Sequence, residues 1–240
     1  TNRLFSYPLQ LMLTLIFTCV TVVKPSAGQP RLLVEAERFQ QKGGWVVDAQ
    51  FTEQMGSPYL LAHGLGRPVE NATTQVQFPA SGTYHTWVRT MNWVPGPWQA
   101  PGRFKLVVNG SELPEELGTE TGWNWQYAGK VAINDRNATV SLKDLTGFDG
   151  RCDALYFSTA LTPPPSEAGK LVTWRKKTEP ERYQTAAVKS YDFVVVGGGI
   201  AGCAAAMAAA GKGLEVALIH DRPILGGNAA SEIRVHTEGI

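Results

Sequence analysis

Hydrophobic and polar residues alternate with a period of two in many short runs between residues 31 and 158. In one of them, Ala138, Val140 and Leu142 are separated by polar neighbours. Such alternation predicts half-buried strands, because successive side chains of a strand point to opposite faces of the sheet. The clearest predicted strands are Arg31–Glu37, Thr74–Phe78, Tyr84–Met91, Phe104–Val108, Lys130–Ile133, Ala138–Leu142 and Ala154–Ser158.

Glycine, proline and asparagine separate these predicted strands, as in Pro79-Ala-Ser-Gly82 and Asn109-Gly110. Such residues allow the tight turns that join antiparallel strands. No helical pattern of comparable strength interrupts residues 31–158. The spacing therefore predicts an all-β domain, an antiparallel sandwich or jelly roll of ordinary domain size.

The pattern changes near the end of the chain. Phe193–Val196 has the apolar, β-branched composition of a parallel strand that is covered on both faces. Residues 204–210 are alanine apart from one methionine, which favours a helix, and the glycines within 211–213 favour its end. A second strand is predicted at Glu215–Ile219, which gives a strand–helix–strand unit.

Three glycines between the first strand and the helix have the spacing Gly197-x-Gly199-x-x-Gly202. In such a turn the first glycine permits the sharp bend, the second lets a pyrophosphate approach the backbone, and the third lets the helix lie close to the strand. The backbone amides at the helix start, at Ile200 and Ala201, would face the phosphates. The turn is therefore a candidate dinucleotide site, although an ordinary turn without a ligand has the same elements.

His220 and Asp221 follow the second predicted strand, roughly 20 residues after the last motif glycine. An acidic residue at this distance usually binds the ribose hydroxyls. Here the strand end is occupied by His220, and the acid comes one place later. Either Asp221 or a neutral His220 is a candidate for the ribose contact.

The segment from His220 to Val235 reads His-Asp-Arg-Pro-x-Leu-Gly-Gly-Asn-x-x-Ser-Glu-Ile-Arg-Val. It resembles the FAD-dependent oxidoreductases with two dinucleotide folds. The resemblance implies that residues 191–240 begin a Rossmann-like FAD-binding domain, which we expect to continue past Ile240. It also implies that the cofactor is contacted by the loop that contains Arg222, Gly226, Gly227 and Asn228. NAD is the competing cofactor, and no catalytic residue is indicated.

The composition limits the classes of partner and chemistry. The chain has 240 residues, of which 43% are hydrophobic and 18% charged, and its net charge is +1. A charge this close to zero, without a basic face, argues against nucleic acid as a partner. Cys152 and Cys203 lie in different predicted domains, and no Cys-x-x-Cys is present. A flavin–disulfide reductase is therefore disfavoured.

The first 28 residues have the layout of a secretory signal peptide. Arg3 precedes an apolar run from Leu9 to Val23, and small residues follow at 26–28. The run is shorter than the roughly 20 residues that span a bilayer, so we expect an exported protein without a stable membrane span after cleavage. A short uncleaved anchor is the alternative.

The predicted β-domain resembles galactose-binding-like carbohydrate-binding modules. The matching motifs are Val34-Glu-Ala-Glu37, Gly82-x-Tyr84, Trp87-Val-Arg89, Val107-Val-Asn-Gly110, Gly147-Phe-Asp and Cys152-Asp-Ala-Leu-Tyr-Phe-Ser158. The resemblance implies a glycan ligand and a structural calcium ion at Glu35, Glu37 and Asp153. Oxygen ligands from alternate residues of one strand make the calcium site geometrically possible. The alternative is that these carboxylates are solvated or cap local backbone.

Four tryptophans fall in two predicted loops, Trp93 and Trp98 in one and Trp123 and Trp125 in the other. Exposed indole rings stack on sugars, so these residues are candidate carbohydrate contacts. Packing at the end of the sandwich is the alternative. Trp45 and Trp87 are instead assigned to the core.

Residues 159–190 are predicted to be a linker, because Pro163-Pro-Pro165 stiffens the chain and Thr173–Lys189 is rich in charge. Packing of this segment through Trp174 and Tyr183 is the alternative. The sequence as a whole predicts a multidomain, exported FAD-dependent oxidoreductase that acts on a carbohydrate or glycan-derived substrate. A non-catalytic carbohydrate-binding protein and an NAD-dependent dehydrogenase are the alternatives.

Overall fold

The computed structural model describes residues 29–179, 189–220, 222, 224–230 and 235. Three predictions lie outside the described residues. They are the signal peptide at 1–28, the ribose contact by Asp221 and the part of the linker at 180–188.

Two antiparallel sheets form a β-sandwich, as the period-two alternation predicts. The first contains β1 (Arg31–Glu35), β2 (Val46–Asp48), β3 (Tyr59–His63), β5 (Gly82–Thr90), β8 (Asn124–Ile133) and β10 (Phe148–Ser158). The second contains β4 (Ala72–Gln77), β6 (Phe104–Val108), β7 (Ser111–Glu112) and β9 (Asn137–Asp144). Strand β10 is central in the first sheet, since β5 pairs along one edge while β1 and β3 share the other.

The main core lies between the two sheets. Leu60, Val88, Leu106 and Val140 are completely buried there, as expected for the inward positions of alternating strands. The core assignment of Trp45 is confirmed, because its side chain is 2% exposed and its ring meets Phe104 edge-on at a centroid distance of 5.4 Å. Trp87 lies outside this core, on the opposite face of the first sheet.

The outer face of the first sheet is covered by a helix that replaces part of the predicted linker. Helix α2 (Ala168–Thr178) buries Leu171, and its Trp174 packs against Tyr156 of β10 at a centroid distance of 5.2 Å. A short helix, α1 (Thr52–Met55), contacts α2. Thr173–Lys189 is rich in charge and has few apolar residues, which is the composition of a solvated linker. The packing face is formed by only a few residues one turn apart.

The strand–helix–strand unit is present as predicted. Strand β11 (Phe193–Val196) pairs in parallel with β12 (Val216–Ile219), and α3 (Ile200–Ala210) connects them. The expectation that the strand is covered on both faces is not met within the described residues, since Val194 is 48% and Val196 is 80% exposed. One helix and one neighbouring strand are too few elements to bury both faces of a parallel strand.

Candidate functional site

The turn between β11 and α3 depends on glycine at its first motif position. Gly197 has a φ of +105°, a backbone conformation that side chains strongly disfavour. Its N–H donates to the carbonyl of Ile219 at 2.8 Å, which ties the turn to the end of β12. The chain can therefore leave the strand sharply and enter α3 without losing contact with the sheet.

The other two motif glycines serve different purposes. A Cβ on Gly199, which precedes α3, would meet no atom within 4 Å. The space in front of this backbone is therefore open, as the approach of a diphosphate requires. A Cβ on Gly202 would instead come within 1.8 Å of the Gly197 carbonyl oxygen. Gly202 is thus a packing glycine, because the helix lies against the turn.

A second glycine pair lies beside this turn. The N–H of Gly226 donates to the carbonyl of Gly198 at 2.8 Å, and Gly199 and Gly226 form a parallel bridge. A Cβ on Gly227 would lie 3.2 Å from the Cα of Gly199. The φ angles of Gly226 and Gly227 are +113° and +59°, so both residues use the left-handed region. The two predicted glycine segments are therefore adjacent in space.

The remaining predicted cofactor contacts that the structure describes, apart from His220, lie at the surface. Ile200 and Ala201 form the exposed first turn of α3, where backbone amides point out of the helix. Arg222 and Asn228 are also exposed. The described residues fit a dinucleotide diphosphate, because open backbone, a helix N-terminus and a second glycine loop converge there.

The two candidates for the ribose contact are not equivalent. The Nδ1 atom of His220 accepts the Gly198 N–H at 3.0 Å, and its Nε2 atom lies 3.1 Å from the carbonyl oxygen of Ile224. Both ring nitrogens therefore have backbone partners. The geometry does not support His220 as a neutral donor to ribose, and Asp221 stays a prediction.

The carboxylates predicted to hold calcium face arginines. The Asp153 carboxylate accepts from Arg89 at 3.0 Å and from Arg175 at 2.6 Å, and Arg175 also lies 3.5 Å from Glu35. Among the described residues, which include Glu37, no group of three or more His, Cys, Asp or Glu side chains is arranged to hold a metal ion. The structure therefore does not support the calcium prediction. The guanidinium groups provide the positive charge that the ion was expected to provide.

Burial and the neighbouring carboxylates have opposite effects on the pKa of Arg89 and Arg175. Burial lowers the pKa of Arg89, although Asp153 partly offsets this effect. Burial also disfavours the charged form of Arg175, but Asp153 and Glu35 outweigh it and raise the pKa of Arg175. No sequence pattern indicates this cluster directly, because Arg175 comes from the predicted linker.

Two of the four predicted sugar-stacking tryptophans pack against other side chains, Trp125 as a buried residue and Trp123 as a half-buried one. Trp125 lies in strand β8 and is 6% exposed. It packs against Trp174 of α2, and its indole N–H donates to the Pro165 carbonyl at 3.2 Å. Trp123 packs edge-on against Tyr59 at 5.1 Å and beneath Arg89. The prediction fails for Trp125, because α2 covers its ring.

Trp98 and Trp93 lie closer to the surface. Trp98 is 55% exposed, and its indole N–H is held by the Val94 carbonyl at 3.0 Å. Trp93 donates to the Phe148 carbonyl at 3.0 Å, and the Arg151 guanidinium lies 5.2 Å from its ring. These contacts fix the orientation of both rings.

A histidine–aspartate pair that the sequence patterns do not indicate lies near Trp93. His63 and Asp149 are hydrogen-bonded, and Arg151 donates to the Asp149 carbonyl at 3.0 Å. Asp149 has a φ of +57°, which is uncommon for a residue with a side chain. The Gly147-Phe-Asp motif was the available signal, but His63 is distant in sequence.

Comparison with known proteins gives a different result for each part of the chain. Residues 192–239 match the family model of the FAD dependent oxidoreductases. No curated protein matches the chain. The similar solved structures include carbohydrate-binding modules.

A family 35 carbohydrate-binding module from Clostridium thermocellum is 21% identical, with a TM-score of 0.43, and covers 53% of this chain and 98% of its own. The C-terminal family 6 module of the laminarinase LamC from Zobellia galactanivorans is 19% identical, with a TM-score of 0.40, over 54% of this chain and 99% of its own. The GH26-CBM35 β-(1,4)-mannanase of Podospora anserina is 17% identical, with a TM-score of 0.45, over 57% of this chain and 29% of its own.

Proposed function

We propose that this chain belongs to an exported FAD-dependent oxidoreductase that acts on a carbohydrate or glycan-derived substrate. FAD would accept a hydride equivalent, which carries two electrons, from that substrate, and a proton would complete the reduced flavin. The proposal rests on the family match of residues 192–239 and on the two adjacent glycine segments. The export and the substrate class are carried over from the sequence analysis.

The observation that carries the proposal is the open backbone at Gly199. A diphosphate resting there would meet the first amides of α3 on one side and the Gly226-Gly227 loop on the other. The partial positive charge of a helix N-terminus stabilises phosphate groups. In this proposal Gly197 and Gly202 shape the turn, and Asp221 holds the ribose.

The test is flavin occupancy of the protein purified from its full reading frame. We expect the wild-type protein to show the visible absorption of bound flavin and Gly199→Val to be colourless, because the new side chain fills the space of the diphosphate. Gly169→Val in α2 is the matched control, since a Cβ there also meets nothing within 4 Å. It should retain full flavin occupancy.

The alternatives give different results in the same preparation. A colourless wild-type protein that is stabilised thermally by NAD would identify the NAD-dependent dehydrogenase. A colourless protein that binds glycans and no dinucleotide would identify the non-catalytic carbohydrate-binding protein. Normal flavin content in Gly199→Val would contradict the placement of the diphosphate.

We also propose that the sandwich binds carbohydrate at the surface formed by Trp93 and Trp98. Trp98 is more than half exposed while its indole N–H is already bonded, so its ring has a defined position before any ligand binds. An oriented aromatic face is what sugar stacking requires. Arg151 and the His63–Asp149 pair supply polar groups near Trp93.

A further inference from the structure

We propose that His220 is a positioning residue that fixes the shape of the dinucleotide site, and that it does not bind the ribose. This inference rests on the proposed function. It concerns the position near which an acidic residue usually binds the ribose hydroxyls. The contacts of one peptide unit, that of Gly198, support it.

The hydrogen bonds of His220 define a single tautomer. The Gly198 N–H can only donate, so Nδ1 of His220 accepts it at 3.0 Å. The Ile224 carbonyl can only accept, so Nε2 carries the proton at 3.1 Å. One neutral imidazole satisfies both partners, and it joins the glycine turn to the segment that follows β12.

Close packing reinforces these bonds. A Cβ on Gly198 would lie 2.8 Å from Cγ of His220 and 2.5 Å from Cδ2 of Leu225. The imidazole and the leucine side chain therefore lie directly against the Gly198 backbone. Any side chain at this middle position of the motif would push the ring away, although the motif leaves the position unspecified.

The same peptide unit is also held from its other end. The carbonyl of Gly198 accepts the N–H of Gly226 at 2.8 Å. Gly227 follows and approaches the Cα of Gly199. His220 thus fixes the N–H of Gly198 while the second loop fixes its carbonyl, so the imidazole helps to set the separation between the two glycine segments.

The first experiment uses FAD and an FAD analogue that lacks the 2′-hydroxyl of the adenosine ribose. We expect His220→Leu to weaken FAD binding by about 10-fold or more, since a buried N–H and a carbonyl lose their partner. His220→Leu should weaken binding of the analogue by the same factor. If His220 bound the ribose instead, the loss would disappear with the analogue, and the proposal would be overturned.

The conservative variant His220→Asn distinguishes a positioning role from a general loss of structure. In His220→Asn the side-chain oxygen lies near the place of Nδ1 and can accept the Gly198 N–H. We expect it to recover most of the affinity that His220→Leu loses. If His220→Asn and His220→Leu lost the same amount of FAD affinity, the positioning role of His220 would be contradicted.

A second measurement does not depend on flavin. Nitrogen-15 chemical shifts of the imidazole in the full-length protein should show His220 as the Nε2–H tautomer. Observation of the Nδ1–H tautomer would overturn the proposal. If the protein shows the Nε2–H tautomer but binds no FAD, the positioning role of His220 stands and the proposed function is refuted. Failure of this inference and failure of the proposed function are therefore distinguishable.

Discussion

The Arg175 guanidinium of helix α2 lies 2.6 Å from the Asp153 carboxylate of strand β10, and neither side chain is more than 1% exposed. The same arginine donates to the Met55 carbonyl at 3.1 Å and contacts the Ser57 hydroxyl. One side chain from the predicted linker therefore connects three segments of the sandwich. The partners offset the cost of burying these charges, and removal of one partner leaves an uncompensated buried charge.

Removal of this guanidinium should destabilise the sandwich. We expect Arg175→Met to lower the free energy of unfolding by about 3–5 kcal/mol, because Asp153 and Glu35 would remain buried with less positive charge. Denaturant unfolding of the whole chain measures the change. Lys170→Met is the matched control on the same helix, since its ion pair with Glu167 is about 70% exposed and should contribute less than about 1 kcal/mol. A loss in Arg175→Met as small as that expected for Lys170→Met would show that α2 is held by its apolar contacts.

The two described cysteines should differ in reactivity. Burial raises the pKa of the Cys152 thiol well above its ordinary value, and nearby Asp153 adds to the effect. Cys203 is partly exposed. In the native protein at mildly alkaline pH, a thiol reagent should therefore modify Cys203 much faster than Cys152. Rapid labelling of Cys152 without unfolding would contradict the packing of the core.

The raised pKa of Cys152 makes the free energy of unfolding depend on pH. The folded state keeps the Cys152 proton above the ordinary thiol pKa of about 8.5, whereas the unfolded state releases it. The unfolded state then binds fewer protons, so the free energy of unfolding should fall as the pH rises beyond about 8.5. Cys152→Ala should be less stable overall but should show a shallower decline. If the decline of the free energy of unfolding with pH were as steep in Cys152→Ala, other groups would cause it. Tyr59 is one such group, because burial also raises its pKa.

Trp98 and Trp125 should respond in opposite ways to truncation. Trp98→Ala should weaken glycan binding about 10-fold or more while stability is retained, because one ring face is lost from the surface. Trp125→Ala should instead destabilise the sandwich by about 3–5 kcal/mol, because the ring is buried beneath α2. Calorimetric titration with glycans and thermal unfolding separate the two effects. Unchanged glycan affinity in Trp98→Ala would exclude the proposed surface.

Gly202, the third motif glycine, should not tolerate replacement even by alanine. In Gly202→Ala the new Cβ would lie 1.8 Å from the Gly197 carbonyl oxygen, so either the turn or α3 must move. We expect flavin occupancy to be lost even though the substitution is far smaller than Gly199→Val. Gly169→Ala is the control, because open space surrounds that position. Full occupancy in Gly202→Ala would mean that the turn is not packed against the helix.

The local elements of this protein follow from its sequence. Alternation at period two predicted the two-sheet domain, and the glycine spacing predicted a turn between a strand and a helix. These signals are local, because each depends on the conformations open to a few consecutive residues. The family match of residues 192–239 agrees with the second of them.

The partners of individual side chains were decided by tertiary structure. Asp153 looked like a calcium ligand until α2 placed Arg175 beside it, and Trp125 looked exposed until the same helix covered it. His220 looked like a ribose contact, but the approach of Gly198 and Ile224 uses both of its nitrogens. In each case the deciding neighbour is distant in sequence or lies across a turn. The amino-acid pattern specifies which face a residue occupies, and only the folded chain specifies what lies against that face.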